Sequence, residues 1–217
     1  TLLIVMKALG PVPLLFANTG FEFPETHENV DTVATHYGLE VLRACGEKAF
    51  WEEFEERGPP AVDDRWCCRA CKLNPIGHLI DECMGECLSF IGQRKYESVR
   101  RMQSRRVWKN PRVPQQLAAA PIHQWTALHV WLYIFREKSP YNRLYRQGLD
   151  RIGCFICPSS DLATLNMISN TFPELWGAWL ENLTKWQKKQ KLPSDWIECG
   201  LWRRRGSAAG EEGDSYN

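Results

Sequence analysis

PLLFAN (residues 13–18) is a short apolar run that leads directly into Thr19 and Gly20. An apolar run that ends at turn-forming residues predicts a buried strand that meets a loop. The pattern then repeats, because residues 26–37 predict a helix, 39–45 a second strand and 48–57 a charged helix. Strands and helices that alternate at this spacing indicate an α/β domain with a mostly parallel sheet flanked by helices.

Further elements extend this pattern in both directions. Residues 1–9 predict the end of an amphipathic helix, and residues 88–92 predict another buried strand that runs into a turn. Helices are also predicted within residues 67–87, with a break near Asn74-Pro75, and over residues 122–135 and 172–188. The Gly-, Ser- and acid-rich tail, residues 206–217, is expected to be disordered, which leaves residues 1–205 as the folded domain.

Composition excludes several classes of protein. The chain has 217 residues, of which 44% are apolar and 24% charged, as in a folded globular protein. Its net charge of +1 does not favour a nucleic-acid or membrane partner. The longest apolar run, residues 130–135, is far shorter than the roughly 20 residues that span a bilayer. Because no basic segment leads into an apolar stretch, we expect a cytoplasmic protein with reduced thiols.

The cysteines predict a metal site. The chain has nine cysteines, and because this number is odd, they cannot all form disulfides within the chain. Cys67-Cys68 and the later Cys154-x-x-Cys157 bring thiols together in pairs, and thiolate pairs bind zinc or iron–sulfur clusters. Spacing alone slightly favours Zn²⁺ at Cys68, Cys71, Cys154 and Cys157 over a [4Fe-4S] cluster at Cys67, Cys68, Cys154 and Cys157. In the simplest alternative, these thiols only pack as small apolar side chains.

A basic run lies between Arg94 and Arg112, with eight Lys or Arg and a single acid, Glu97. Guanidinium groups bind phosphate and sulfate oxygens in a bidentate manner, so the run suits an anionic ligand. A solvated protein face or a nucleic-acid patch would have the same composition.

Four stretches, taken in order, resemble the phosphoadenosine phosphosulfate (PAPS) reductase family. ANTGFEFPET (17–26) resembles its NTG…FPET segment, and Cys67-Cys68 with Lys72 and Pro75 resembles its CC…K..P stretch. GQRKYESVRR (92–101) is similar to the GxRxxES..R substrate loop of the family. PIHQWT (121–126), SPYNRLY (139–145) and IGCFIC (152–157) are similar to its PI..WT…PYN.LY…IGC..C block.

The resemblance implies an adenine nucleotide alpha-hydrolase-like, Rossmann-like fold and an oxidoreductase that releases sulfite from adenylyl sulfate or its 3′-phosphorylated form. It places a [4Fe-4S] cluster beside the phosphosulfate and therefore favours iron–sulfur over zinc. Thioredoxin, glutaredoxin or a ferredoxin-type protein would be the reductant, and a homo-oligomer is compatible with the family. The residues that the resemblance assigns to the substrate are Asn18, Thr19, Gly20, Glu25, Thr26, Gly92, Arg94, Glu97, Ser98 and Arg101, and those assigned to the metal are Cys67, Cys68, Cys154 and Cys157.

Two departures from the family pattern stand out. The Ser-Gly-Gly-x-x-Ser phosphate loop is absent, so we expect a chain that lacks the first strand and part of the nucleotide site, and that is inactive alone.

The second departure is Glu198-Cys199-Gly200-Leu201-Trp202, which is similar to the Glu-Cys-Gly-(Ile/Leu)-His motif of thioredoxin-dependent reductases except for its Trp. The motif predicts that Cys199 is the catalytic nucleophile. Residues 200–203 also fit a Gly-x-Trp-Arg ending that some archaeal-type relatives carry without a cysteine.

Two other functions are compatible with the sequence. An ATP-using sulfur transferase on the same fold would thiolate a nucleic acid, which the basic run could bind. A zinc-stabilised module without catalytic activity would need neither the phosphate loop nor Cys199.

Overall fold

The computed structural model describes residues 1–205, so the predicted disorder of the tail, residues 206–217, lies outside the described residues. The strands are β1 (Leu14–Asn18), β2 (Val41–Cys45), β3 (Cys87–Phe90), β4 (Val107–Lys109) and β5 (Gln116–Ala119). The α-helices are α1 (Leu2–Leu9), α2 (Pro24–Tyr37), α3 (Phe50–Arg57), α4 (Trp66–Cys68), α5 (Asn74–Cys83), α6 (Val99–Gln103), α7 (Ala127–Arg136), α8 (Leu162–Thr171) and α9 (Pro173–Gln190).

The strands pair in two sheets, and the parallel pairs confirm the predicted α/β class. β1 and β2 are parallel, in a register that runs from Leu14 opposite Val41 to Asn18 opposite Cys45. In the second sheet the order is β3-β5-β4, with β3 parallel and β4 antiparallel to β5. Because parallel strands end at the same edge, the loops after β1 and β2 lie side by side, as do those after β3 and β5. This carboxyl edge is where α/β proteins bind ligands.

The predicted helices are present, but several begin or end at other residues than predicted. The helix predicted from residue 122 begins at Ala127, because Thr126 caps it by accepting a hydrogen bond from the His129 N–H. The break predicted at Asn74-Pro75 is a change of helix type instead. A π-helical turn, Arg69–Leu73, joins α4 to α5, and Pro75 lies in the first turn of α5, where a missing N–H is tolerated.

An aromatic core joins the parts of the chain that carry the predicted site. Phe21 stacks on Phe50 with ring centroids 3.9 Å apart, and Phe155 lies 4.0 Å from Phe21. Trp179 of α9 is fully buried and packs against the same ring. The core therefore holds the loop after β1, helix α3 and the Cys154–Cys157 loop against α9.

No helix within residues 1–205 is both long and apolar enough to cross a membrane.

Candidate active site

The loop after β1 is a compact turn built from predicted substrate residues. The Gly20 N–H donates to Asn18 Oδ1 at 3.1 Å, and both the N–H and the hydroxyl of Thr19 donate to the Glu22 carboxylate, at 3.1 and 2.6 Å. Gly20 has φ +74°, a left-handed conformation that glycine adopts without strain. The structure thus brings Asn18, Thr19 and Gly20 together at the carboxyl end of β1.

Glu25 and Thr26, in the first turn of α2, are held by a segment more than 110 residues away. Arg143 Nη2 donates to Glu25 Oε1 at 3.3 Å, and Asn142 Nδ2 donates to Thr26 Oγ1 at 3.4 Å. Among the described residues, the buried second oxygen of Glu25 has no hydrogen-bond partner. This carboxylate is therefore only half satisfied, which is a common property of ligand-binding groups.

The loop after β3 carries the predicted phosphosulfate ligands, and Glu97 lies at its centre. The backbone N–H and Nε of Arg94 donate to the Glu97 carboxylate at 3.2 and 3.1 Å, and Arg101 Nη1 also donates to it. Burial would raise the pKa of Glu97, but the Arg94 N–H and the charges of Arg101 and Arg94 lower it below its usual value. Ser98 caps α6 by accepting from the Arg101 N–H at 3.2 Å. Both arginines are thus preorganised by an internal carboxylate.

Gly92 lies at the start of the same loop, beside Thr1. A Cβ built on Gly92 would lie 3.3 Å from Thr1 Oγ1, so the chain passes closely here.

Two residues that were not assigned to the site join its parts. His123 ties the loop after β5 to the arginine loop, because its Nε2 lies 3.0 Å from the Arg101 carbonyl and its own carbonyl accepts from the Lys95 N–H. Burial raises the pKa of the Tyr145 phenol, on which the charges of Arg94 and Glu97 also act. Tyr145 belongs to the same segment as Asn142 and Arg143, whose side chains contact α2. The signal for both residues was their place in the PI..WT and PYN.LY stretches.

The Cys154-x-x-Cys157 loop is fastened to the loop after β1. Cys154 forms an antiparallel bridge with Glu22, and the Phe155 N–H donates to the Phe21 carbonyl at 3.0 Å. The thiols predicted to bind metal therefore lie against the loop predicted to bind nucleotide.

The four thiols of the predicted iron–sulfur set, each partly buried, interact with one another. The interaction with the neighbouring Cys68 thiol, together with burial and the charges of Cys68, Cys154 and Cys157, raises the pKa of Cys67. The same interaction lowers the pKa of Cys68. Arg65 acts in the same direction, since its Nη2 donates to Cys68 Sγ at 3.4 Å.

Two buried thiols favour the protonated form. Burial raises the pKa of Cys154 to about 12 and that of Cys71 to about 11. Cys71 is 1% exposed and belongs to the aromatic core.

The chemistry of this donor set fits an iron–sulfur cluster, because all four groups are thiols supplied by two segments. As the side chains stand in residues 1–205, no group of three or more His, Cys, Asp and Glu could hold a metal ion. The fit therefore rests on donor chemistry and on the interactions among the thiols, and the cluster and the zinc alternative both stay predictions.

Cys199 lies apart from these thiols in sequence, on an exposed turn after α9. Its N–H donates to the Asp195 carbonyl at 2.8 Å, and its thiol lies 3.7 Å from Asp195 Oδ2. Desolvation, and then the Asp195 carboxylate, raise the pKa of the Cys199 thiol. A nucleophilic role would therefore require a base to take the proton.

Residues 1–160 match the family model of the phosphoadenosine phosphosulfate reductase domain. The chain belongs to this family. The match confirms the family inferred from the sequence and contains every predicted substrate and metal residue, whereas Cys199 lies beyond it.

Relatives of the PAPS reductase family extend the comparison. An uncharacterized protein of Methanocaldococcus jannaschii is 46% identical over 205 residues, which cover 94% of this chain but 42% of that protein. An adenosine 5'-phosphosulfate reductase of Bacillus pumilus is 27% identical over 157 residues, covering 71% of this chain and 66% of the enzyme. This chain therefore spans less than half the length of the Methanocaldococcus jannaschii protein.

A solved structure supports the fold. The PAPS reductase of Candida auris, crystallised with phosphate, has a TM-score of 0.55 at 24% identity, over 71% of this chain and 74% of that one. Together with the family match over residues 1–160, this similarity confirms the expected adenine nucleotide alpha-hydrolase-like fold.

Proposed function

We propose that this chain forms part of a sulfonucleotide reductase that converts adenylyl sulfate, or its 3′-phosphorylated form, to sulfite and the adenine nucleotide. The single observation that carries the proposal is the bridge between Glu22 and Cys154. It joins the loop of Asn18, Thr19 and Gly20 to the thiol set, so a nucleotide at the carboxyl edge would present its phosphosulfate to the cysteines.

Arg94 and Arg101 would bind the phosphosulfate. Without substrate, both guanidinium groups are held by Glu97, which keeps them oriented and offsets their charge. An incoming phosphosulfate would share these donors, because guanidinium N–H groups can bridge two oxyanions. The half-satisfied carboxylate of Glu25 would accept a hydroxyl of the nucleotide.

Cys67, Cys68, Cys154 and Cys157 would hold a [4Fe-4S] cluster. When bound, the cluster would position and polarise the sulfate group rather than carry the electrons of turnover. Arg65, at Cys68 Sγ, would stabilise the thiolate form that ligation requires.

The sulfur transfer would begin at Cys199. Asp195 Oδ2 accepts the thiol hydrogen bond at 3.7 Å and is the carboxylate placed to take this proton. The thiolate attacks the sulfate sulfur, the bond from that sulfur to the bridging phosphate oxygen breaks, and the nucleotide leaves with its phosphate. A dithiol protein of the thioredoxin or glutaredoxin type then attacks the Cys199 sulfur. Sulfite departs with the electron pair and leaves a mixed disulfide between Cys199 and the partner. The second thiol of the partner then attacks this bond, which releases the Cys199 thiol and leaves the partner oxidised to a disulfide.

The metal content tests the first part of this proposal. Iron, acid-labile sulfide and zinc should be measured per chain after anaerobic purification, with Cys157→Ser in parallel. About four iron and four sulfide, lost in the variant, are expected for a [4Fe-4S] cluster. Zinc near one per chain without sulfide would contradict the cluster.

Activity tests the second part. With a dithiol reductant, sulfite release from adenylyl sulfate should disappear in Cys199→Ser, whereas Cys83→Ser, at an exposed cysteine at the end of α5 and outside the proposed site, is the matched control. The assay should use the protein as it occurs naturally, with any sequence that flanks this chain. Pyrophosphate release from ATP, with no sulfite from either sulfonucleotide, would favour the ATP-using sulfur transferase.

A further inference from the structure

The C-terminal turn, residues 201–203, makes contacts that the proposed reaction does not use. Arg203 Nε and Nη2 donate to the Pro158 carbonyl at 3.3 and 3.0 Å, and Nη2 also donates to the Ser160 carbonyl. The Ser160 N–H in turn donates to the Cys157 carbonyl at 2.9 Å. One guanidinium thus binds two carbonyls of the turn that directly follows Cys157.

The backbone of Arg203 holds the other cysteine-bearing segment. The Val62 N–H donates to the Arg203 carbonyl at 2.8 Å, and five residues later the chain enters the Cys67-Cys68 pair. The neighbouring Trp202 is 5% exposed and packs edge-on against Trp179. Arg203 is therefore anchored by a buried neighbour, and it contacts both the turn after Cys157 and the segment before Cys67.

The same turn limits where Cys199 can lie. Three residues lie between Cys199 and Arg203, so their Cα atoms are at most about 14 Å apart. Docking of Arg203 on the loop after Cys157 therefore also limits how far Cys199 can move from that loop.

We propose that Arg203 is a positioning residue that clamps the Cys154–Cys157 loop to the segment before Cys67 and keeps the thiol site closed. This inference rests on the proposed function, since it gives the four cysteines a common role. The PAPS reductase family model ends at residue 160, so the proposal concerns a part of the chain that the model does not reach.

The test compares Arg203→Met with Arg205→Met in the full chain, purified anaerobically. Arg205 is the matched control because it lies on the same segment but binds the Arg57 carbonyl and, at 2.6 Å, the Asp64 carboxylate. The readout is the rate at which N-ethylmaleimide labels Cys154 and Cys157, measured by peptide mass spectrometry. Cys87, a partly buried thiol on β3, is the internal reference.

Labelling of Cys154 and Cys157 is expected to be about tenfold faster in Arg203→Met, because the loss of charge-assisted hydrogen bonds eases local opening. Cys87 should stay unchanged, Arg205→Met should match the wild type, and Arg203→Lys should be intermediate. Equal labelling in Arg203→Met and Arg205→Met would overturn the proposal, as would a parallel rise at Cys87, which indicates global destabilisation. If Arg203→Met does not fold, Arg203→Lys against Arg205→Met decides in the same way.

Iron and sulfide, measured on the same samples, separate this proposal from the proposed function. A wild type without iron or sulfide would refute the cluster, yet the labelling contrast would still decide the role of Arg203.

Discussion

Replacement of Trp202 by His would create the Glu-Cys-Gly-Leu-His motif of thioredoxin-dependent reductases, yet we expect it to destabilise this chain severely. Trp202 is 5% exposed, and its ring centroid lies 5.1 Å from that of Trp179 in an edge-on arrangement. The tryptophan therefore fills a core position.

The size of the effect follows from three contributions. Trp202→His removes about 80–100 Å² of buried apolar surface, which costs about 2 kcal/mol at about 25 cal/mol per Å². The aromatic pair with Trp179 contributes about 1 kcal/mol more. A buried imidazole N–H without a partner costs about 1–3 kcal/mol. The free energy of unfolding should thus fall by about 4–6 kcal/mol, which lowers Tm by about 10–20 °C in a protein of this size.

Thermal unfolding, followed by circular dichroism at pH 7 in reducing buffer and at one scan rate, measures this change. Leu201→His is the matched control, because it places the same side chain on the same turn at a position that is 47% exposed. Its Tm should change by no more than about 2 °C, as is typical of surface substitutions. A Tm loss below about 3 °C in Trp202→His would refute the packing argument. A gain of sulfite release in a stable variant would show instead that the position belongs to the catalytic site.

Two further predictions concern the backbone and the arginine loop. Gly58→Ala should lower stability by about 2–4 kcal/mol, because Gly58 has φ +79° and a Cβ there would lie 2.5 Å from the Trp186 ring. Gly77→Ala, in a helix and with nothing within 4 Å, should raise it by about 0.5–1 kcal/mol, and equal urea midpoints for the two variants would contradict both expectations. Glu97→Gln should cost about 1–2 kcal/mol at pH 7, since Glu97 accepts from Arg101 and its pKa is lowered in the folded state. The carboxylate stabilises the fold above its unfolded pKa and loses that effect as the pH falls through its folded pKa. The free energies of unfolding of the two proteins, measured with urea, should therefore converge below about pH 4.5. A difference that stays constant with pH would contradict this.

The parts of the fold that could be predicted from the sequence are those with long or strongly patterned elements. PLLFAN is apolar and ends at a turn, so β1 was predicted to within one residue of its start. β4 and β5 were missed, because Val107–Lys109 is three residues within a basic run and Gln116–Ala119 contains two alanines, which have little strand preference. Both form strands only because β5 pairs with β3, a contact that local sequence does not encode.

The candidate site was predicted as a list of residues, but not as an arrangement. The metal and nucleotide stretches are about 130 residues apart, and their contact through Glu22 and Cys154 depends on the packing of Phe21 against Phe155. The sequence placed Trp202 in two short motifs, as a mismatch in one and a match in the other, but its role as a core residue required the position of α9. Motifs identify chemistry at short range, whereas tertiary packing decides which motifs meet.

The π-helical turn at Arg69–Leu73 has a consequence for how this chain can vary. Such a turn is equivalent to one extra residue inside an α-helix, so every residue before it is rotated by about 100° relative to an uninterrupted helix. The turn therefore fixes the orientation of Cys67 and Cys68 relative to the face that α5 buries through Ile80. Deletion of a single residue from this turn would leave the composition almost intact and still turn both thiols away from Cys154 and Cys157. In this stretch the spacing of the residues is under stronger constraint than their identity.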